Sequence, residues 1–198
     1  AKTQPAPKPS QKPTMKLSLP SLLFFIASSV NANEDANTAL LDACNADRGI
    51  DVVADVKAAL ANGADINTTD GQSGQTCLMA ASLRGKINIA TYLLGQGADT
   101  TIGEMQGYTP PHGAAFQGRP DVMKLLADSG VNVNMFHDDG FLPLHRVCWG
   151  SSEFHTETLK VLIDLGIDPK TKSRDGKTCR DMTNNEHVLE VLDAHAEL

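Results

Sequence analysis

The stretch Gly107-Tyr108-Thr109-Pro110-Pro111-His112-Gly113-Ala114 decides how this chain is read. It has a close counterpart upstream in Gly74-Gln75-Thr76-Cys77-Leu78-Met79-Ala80-Ala81. Another lies downstream in Gly140-Phe141-Leu142-Pro143-Leu144-His145-Arg146-Val147. Both steps are 33 residues, from 74 to 107 and from 107 to 140. A shorter echo, Gly176-Lys177-Thr178-Cys179, follows 36 residues on. A second marker runs in phase with the first: Gly63-Ala64-Asp65, Gly97-Ala98-Asp99, Gly130-Val131-Asn132 and Gly166-Ile167-Asp168. Two markers at one fixed period are the signature of a repeat array, in which each unit is too small to bury its own apolar face and stacking supplies the core.

The local chemistry predicts two helices per unit. Thr76 and Thr109 can cap a helix N-terminus, and Pro110 and Pro143 fall in the first turn, where a missing N–H costs nothing. The small residues Ala43, Ala81 and Ala114 let neighbouring helices approach closely. The second helix carries the apolar pairs Tyr92-Leu93, Leu125-Leu126 and Val161-Leu162, and the glycines at 63, 97, 130 and 166 stop it. Asp70-Gly71, Asp139-Gly140 and Asp175-Gly176 are tight-turn signals between units.

These two markers resemble the ankyrin repeat, with its T-P-L-H-x-A helix start and G-A-D-x-N helix end. The resemblance covers residues 38–198 and implies an all-α solenoid of stacked helix-turn-helix units joined by hairpin-like turns. Five units are expected, at 38–70, 71–106, 107–139, 140–175 and 176–198. Unit one, beginning Thr38-Ala39-Leu40-Leu41, has the longer helix pair of an N-terminal cap. Unit four has Leu142 in place of the hydroxyl and three extra residues near 150–154. Unit five stops after a second helix running from Glu186 to about His195, as a C-terminal cap would.

Residues 1–14 read as an extension rich in lysine and proline, and Met15-Lys16 as the better start. An apolar run, Leu17 to Val30, leads to Val30-Asn31-Ala32, with small residues where a signal peptidase reads. Residues 15–32 are therefore expected to be a secretory signal, the alternatives being an uncleaved membrane anchor or a buried helix of the fold. Cleavage after Ala32 would leave 166 residues, 33–198, with 13 basic and 24 acidic side chains, a net charge of -11. That balance favours a basic partner and argues against a nucleic-acid binder.

The polar residues supply no catalytic motif. His112 and His145 sit in the helix-start motif, where the resemblance implies backbone hydrogen bonds between units. His155, His187 and His195 read as solvated residues on polar helix faces. His137-Asp138-Asp139 is a turn tip, with weak binding of a divalent ion as the alternative. No HExxH, paired CxxC or phosphate-cradling loop is present. No cofactor or metal is expected, and the chain reads as a non-enzymatic monomer. The four cysteines read as packed free thiols. Cys44 and Cys148 share one repeat position and Cys77 and Cys179 another, so like pairs stand three units apart. Neighbouring pairs are offset by five helix positions.

One surface departs from an ordinary polar repeat face. The residue two places after the motif alanine is Leu83, Phe116 and Trp149 in successive units, and the one before the helix start is Gln75, Tyr108 and Phe141. The turn tips add Met105, Met135 and Phe136. Leu83, Met105, Tyr108, Phe116, Phe136, Phe141 and Trp149 are the expected contact residues for a protein or peptide, because aromatics and methionine dominate binding hot spots. The competing reading packs these side chains inward, with the unit-four insertion covering Trp149. The expected role is an exported, periplasmic or secreted binding module. The alternatives are a membrane-anchored scaffold or a helper of a periplasmic enzyme.

Overall fold

A computed structural model describes residues 19–46 and 53–195, with side chains from Ala32 onward. The expected N-terminal extension, Met15 and the first two residues of the apolar run lie outside the described residues. Ten helices follow in order: α1 (Leu19–Asn45), α2 (Val53–Ala61), α3 (Cys77–Arg84), α4 (Ile87–Gly95), α5 (Pro110–Phe116), α6 (Pro120–Asp128), α7 (Pro143–Val147), α8 (Glu153–Asp164), α9 (Cys179–Met182) and α10 (Glu186–Ala194). They fall into five consecutive pairs. The first helices α1, α3, α5, α7 and α9 contact one another in sequence, and α2, α4, α6, α8 and α10 form the second row. No strand is present among the described residues beyond one isolated bridge, Thr69 with Thr76. The fold is an all-α repeat solenoid.

The capping chemistry places the helices. The Thr76 hydroxyl accepts the Met79 N–H at 3.2 Å. Thr178 instead donates both its N–H and its hydroxyl to Asp181 Oδ2, each at 2.8 Å. Pro110 and Pro143 are the first residues of α5 and α7. After α2, α4, α6 and α8 the chain turns through a glycine of positive φ, +81° at Gly97 and +86° at Gly166, a conformation that a side chain would strain. The hairpin-like turns then dock on one another. The Met105 N–H reaches the Ser73 carbonyl at 2.8 Å, and the Arg174 N–H reaches that of Gly140 at 2.9 Å.

Leu93, Leu126 and Leu162, the second members of the apolar pairs, are fully buried between the rows. Ala80, Ala81, Ala114 and Ala115 are buried where first helix meets first helix. α1 is a single helix that runs through Ala32 and Thr38, so unit one has no cap at Thr38; that hydroxyl bonds the Glu34 carbonyl within the helix at 2.9 Å. No helix among the described residues is long and apolar enough to cross a membrane.

The cysteines overturn the expectation of free thiols. Cys44 is bonded to Cys77 and Cys148 to Cys179, with Cα atoms 5.3 and 5.5 Å apart. The expectation assumed that like positions of successive first helices lie level, so that five positions would separate the sulfurs by about 7.5 Å of helix rise. They are not level at these junctions. Cys44 lies in the last turn of α1 and Cys77 opens α3; Cys148 follows the last residue of α7 and Cys179 opens α9. Each bridge joins the end of one first helix to the start of the next. His155 also departs from the expected solvation. Its Nε2 lies 3.0 Å from the Phe116 carbonyl, and its Nδ1 lies 2.6 Å from Ser152 Oγ. Gly150 leaves room for the ring: a Cβ there would stand 1.9 Å from it.

Candidate functional site: a cavity between the first helices

Three units supply one cavity of about 340 Å³. Unit two gives Gln75, Met79 and Leu83, and the turn that follows gives Glu104. Unit three gives Tyr108, His112, Gly113 and Phe116, and unit four gives Arg146. Gly113 makes the wall thin. A Cβ at that position would sit 3.0 Å from Met79 Cε and 3.1 Å from Leu83 Cγ, so the missing side chain is what lets those two α3 residues lie against α5. Of the seven expected contact residues, Leu83, Tyr108 and Phe116 line this cavity, and Phe116 is 52% exposed. Phe141 and Trp149 stand edge to face, ring centroids 5.1 Å apart, and Trp149 is 44% exposed. The insertion in unit four therefore leaves that ring open to solvent. Met105 and Phe136 lie at turn tips away from the cavity wall, both exposed, with the Arg174 guanidinium over the Phe136 ring.

Arg146, which the sequence analysis passed over, organises this face. Its side chain is 8% exposed. The guanidinium carbon lies 4.6 Å from the centre of the Tyr108 ring, 4.4 Å from Trp149 and 5.4 Å from Phe141. Three of the aromatics in the stripe thus cluster round one cation, an attraction that strengthens as water is excluded. Nη2 donates to Asp139 Oδ2 and, at 2.9 Å, to the Tyr108 hydroxyl, which itself donates to Asp139 at 2.9 Å. The signal for this was available: Arg146 occupies an x position of T-P-L-H-x-A, one helix turn before the stripe residue.

Histidines back the cluster from below. The His137 ring stacks on Tyr108 at 3.8 Å, and its Nε2 lies 2.6 Å from the Gln106 carbonyl. Its Nδ1 faces the Asp139 backbone and carboxylate at 3.2 and 2.9 Å. Both ring nitrogens are engaged within the turn, and no group of three potential ligands is assembled for a metal among the described residues. Burial disfavours charge on Asp139, but hydrogen bonds from His137, Tyr108, the Phe141 N–H and Arg146 outweigh it and hold the carboxyl well below its usual range. Burial, with the nearby His137 and Arg146, pushes His112 down to about 4, so its ring is neutral near pH 7. Its Nδ1 lies 2.9 Å from Thr109 Oγ1. The expected backbone bond is made by His145, 3.1 Å from the Thr171 carbonyl, and the Met135 backbone plays the same part at His112.

A family model described as three ankyrin repeats matches residues 16–104 and 99–173. The chain is 27% identical over 124 residues to human BCL-6 corepressor-like protein 1, covering 62% of this chain and 7% of that protein. It is 40% identical over 85 residues to the ankyrin repeat and SAM domain-containing protein 6 of Rattus norvegicus, 42% of this chain and 9% of that one. A palmitoyltransferase of Lachancea kluyveri is 28% identical over 152 residues, 58% of this chain and 20% of that enzyme. The chain thus spans a fifth or less of these relatives. Ankyrin repeats generally serve as protein-interaction modules. Matched over more than half of its length and stacked as those repeats are, this chain belongs to the ankyrin-repeat family.

Proposed function

We propose that the protein is an exported, non-enzymatic binding module that docks a protein or peptide on the face built by its first helices and turns. The observation that carries this is the cavity walled by Met79, Leu83, Tyr108 and Phe116, open to solvent beside the exposed Trp149. A partner's apolar side chain can be buried there, and aromatic walls of this kind are where interface energy concentrates. The acidic balance of the chain favours a basic partner and a fast encounter at low salt. Residues 33–198 form the binding domain in this reading, and a monomer suffices, since three adjacent units of one chain complete the cavity.

Export rests on two supports. The apolar run ahead of Val30-Asn31-Ala32 fits a cleaved signal, and two disulfides are formed, which persist in oxidising compartments. Two measurements test the proposal. The first is N-terminal sequencing of the protein from its own cells: a start at Asn33 supports export, and a retained apolar run overturns cleavage in favour of an anchor. The second compares proteins captured by the chain and by its Leu83→Glu variant. A partner kept by a Lys124→Glu control on the second row and lost with Leu83→Glu supports docking at the cavity; capture indifferent to Leu83 and Phe116 removes it.

A further inference from the structure

We infer that the cavity is selective for a peptide segment in which an apolar residue is followed by lysine or arginine, with Arg146 taking the carbonyl of the apolar residue and Glu104 the neighbouring cation. This rests on the docking reading above and adds to it the chemistry of the occupant. Arg146 lines the cavity with donors to spare. Nη2 is committed to Asp139 and Tyr108, Nε is buried without a partner, and Nη1 makes no hydrogen bond among the described residues. A guanidinium has donors only, so what it leaves unspent is met by an acceptor, which in a peptide is first of all the backbone carbonyl. Held between Asp139 and three rings, the guanidinium keeps its free Nη1 in a fixed place at the cavity it lines, so a ligand carbonyl that replaces water there meets a donor already oriented.

Charge decides which acceptor. Arg146 is already neutralised by Asp139. The charge left on the cavity wall is Glu104, whose Oε2 accepts only the Gln75 amide, at 3.2 Å. A carboxylate approaching Arg146 would meet Asp139 and Glu104 together, whereas a peptide carbonyl meets neither repulsion. A cation one residue on from the buried side chain meets Glu104. Met79, Leu83 and Phe116 supply the apolar wall for that side chain.

The test pans a phage-displayed random heptapeptide library on the full chain and discards every clone that also binds the Leu83→Glu variant. Helicity is checked by circular dichroism, and Phe116→Ala, a half-exposed site, stands in if Leu83→Glu does not fold. The expected clones carry an apolar residue followed by Lys or Arg. A synthetic peptide of that consensus should lose about ten-fold in affinity when its cation is replaced by Glu. The loss should shrink towards none against Glu104→Gln. A thioamide at the apolar residue's carbonyl, a poorer acceptor, should weaken binding several-fold. Groove-dependent clones with no basic neighbour, or a Lys-to-Glu loss that persists in Glu104→Gln, overturn this inference and leave docking standing. No groove-dependent clone at all overturns both.

Discussion

The ends and the middle of this stack are held by different means. Units one and two, and units four and five, are joined covalently, by Cys44–Cys77 and Cys148–Cys179. No disulfide crosses from unit two to three or from three to four. Those junctions rest on buried alanines, on Arg119 Nε donating to the Leu83 carbonyl at 3.0 Å, and on the Arg146, Tyr108 and Asp139 network. The staples fasten the outermost of the described units, and they leave the central units free of covalent links. In unit five the bridge anchors α9, a helix of four residues, through the fully buried Cys179.

The largest effect expected from that contrast is on the ends. Each bridge closes a separation of 33 or 31 residues, so its loss should cost roughly 3–4 kcal/mol in the chain-entropy picture. Intact mass before and after reduction should differ by about 4 Da, two hydrogens per bridge. Hydrogen exchange on Cys77→Ser and Cys179→Ser should show fast exchange in α1–α2 and in α9–α10 respectively, with α5 and α6 still protected. Uniform loss across the stack would mean that the ends and the middle are not separate regions.

In the middle, Arg146→Ala should cost about 1–3 kcal/mol by urea unfolding, because it removes the cation between three rings and its bonds to Asp139 and Tyr108, while Asp139 keeps the bonds from His137, Tyr108 and the Phe141 N–H. Arg146→Met fills the volume but still removes the cation and its ion pair with Asp139, so a smaller loss in the same direction is expected. If both variants are neutral, the aromatic face stands without its cation.

Acid should act next. His112 is held below its ordinary value of 6.5, at about 4, so the unfolded chain binds its proton first as pH falls. Stability from this group is present above about pH 6.5 and is lost between 6.5 and 4, by up to about 2–3 kcal/mol. His112→Gln should flatten that part of the stability curve. Asp139 is also shifted down, because its charged form is the one stabilised, so its contribution is present above the ordinary carboxylate value of 3.8 and is lost as pH falls below it.

The smallest effect on folding should come from the stripe. Phe116→Ala removes a half-exposed ring and should change stability by less than about 1 kcal/mol, as most surface changes do. The same change should weaken binding of a groove-dependent peptide about ten-fold. A large loss of stability from Phe116→Ala would place the ring in the core and close the docking surface.

Local chemistry made much of this molecule readable in advance. Thr, Pro and Gly set helix starts and stops through groups within a few residues, so the period of 33, the five helix pairs, Pro110 and Pro143 at first turns and the left-handed glycines all follow from spacing. The stripe of Leu83, Phe116 and Trp149 was readable too, because a repeat places equal positions on one face. What spacing could not supply is the tilt and slide of one helix against the next. That geometry comes from how Ala80, Ala81, Ala114 and Gly113 let backbones approach. It brought Cys44 to Cys77 across five helix positions that looked too far apart. It also gathered Tyr108, Phe141 and Trp149 around Arg146, and set His155 against the Phe116 carbonyl. Contacts between units are decided by the packed volume of many side chains at once, and no single residue in the repeat carries that information.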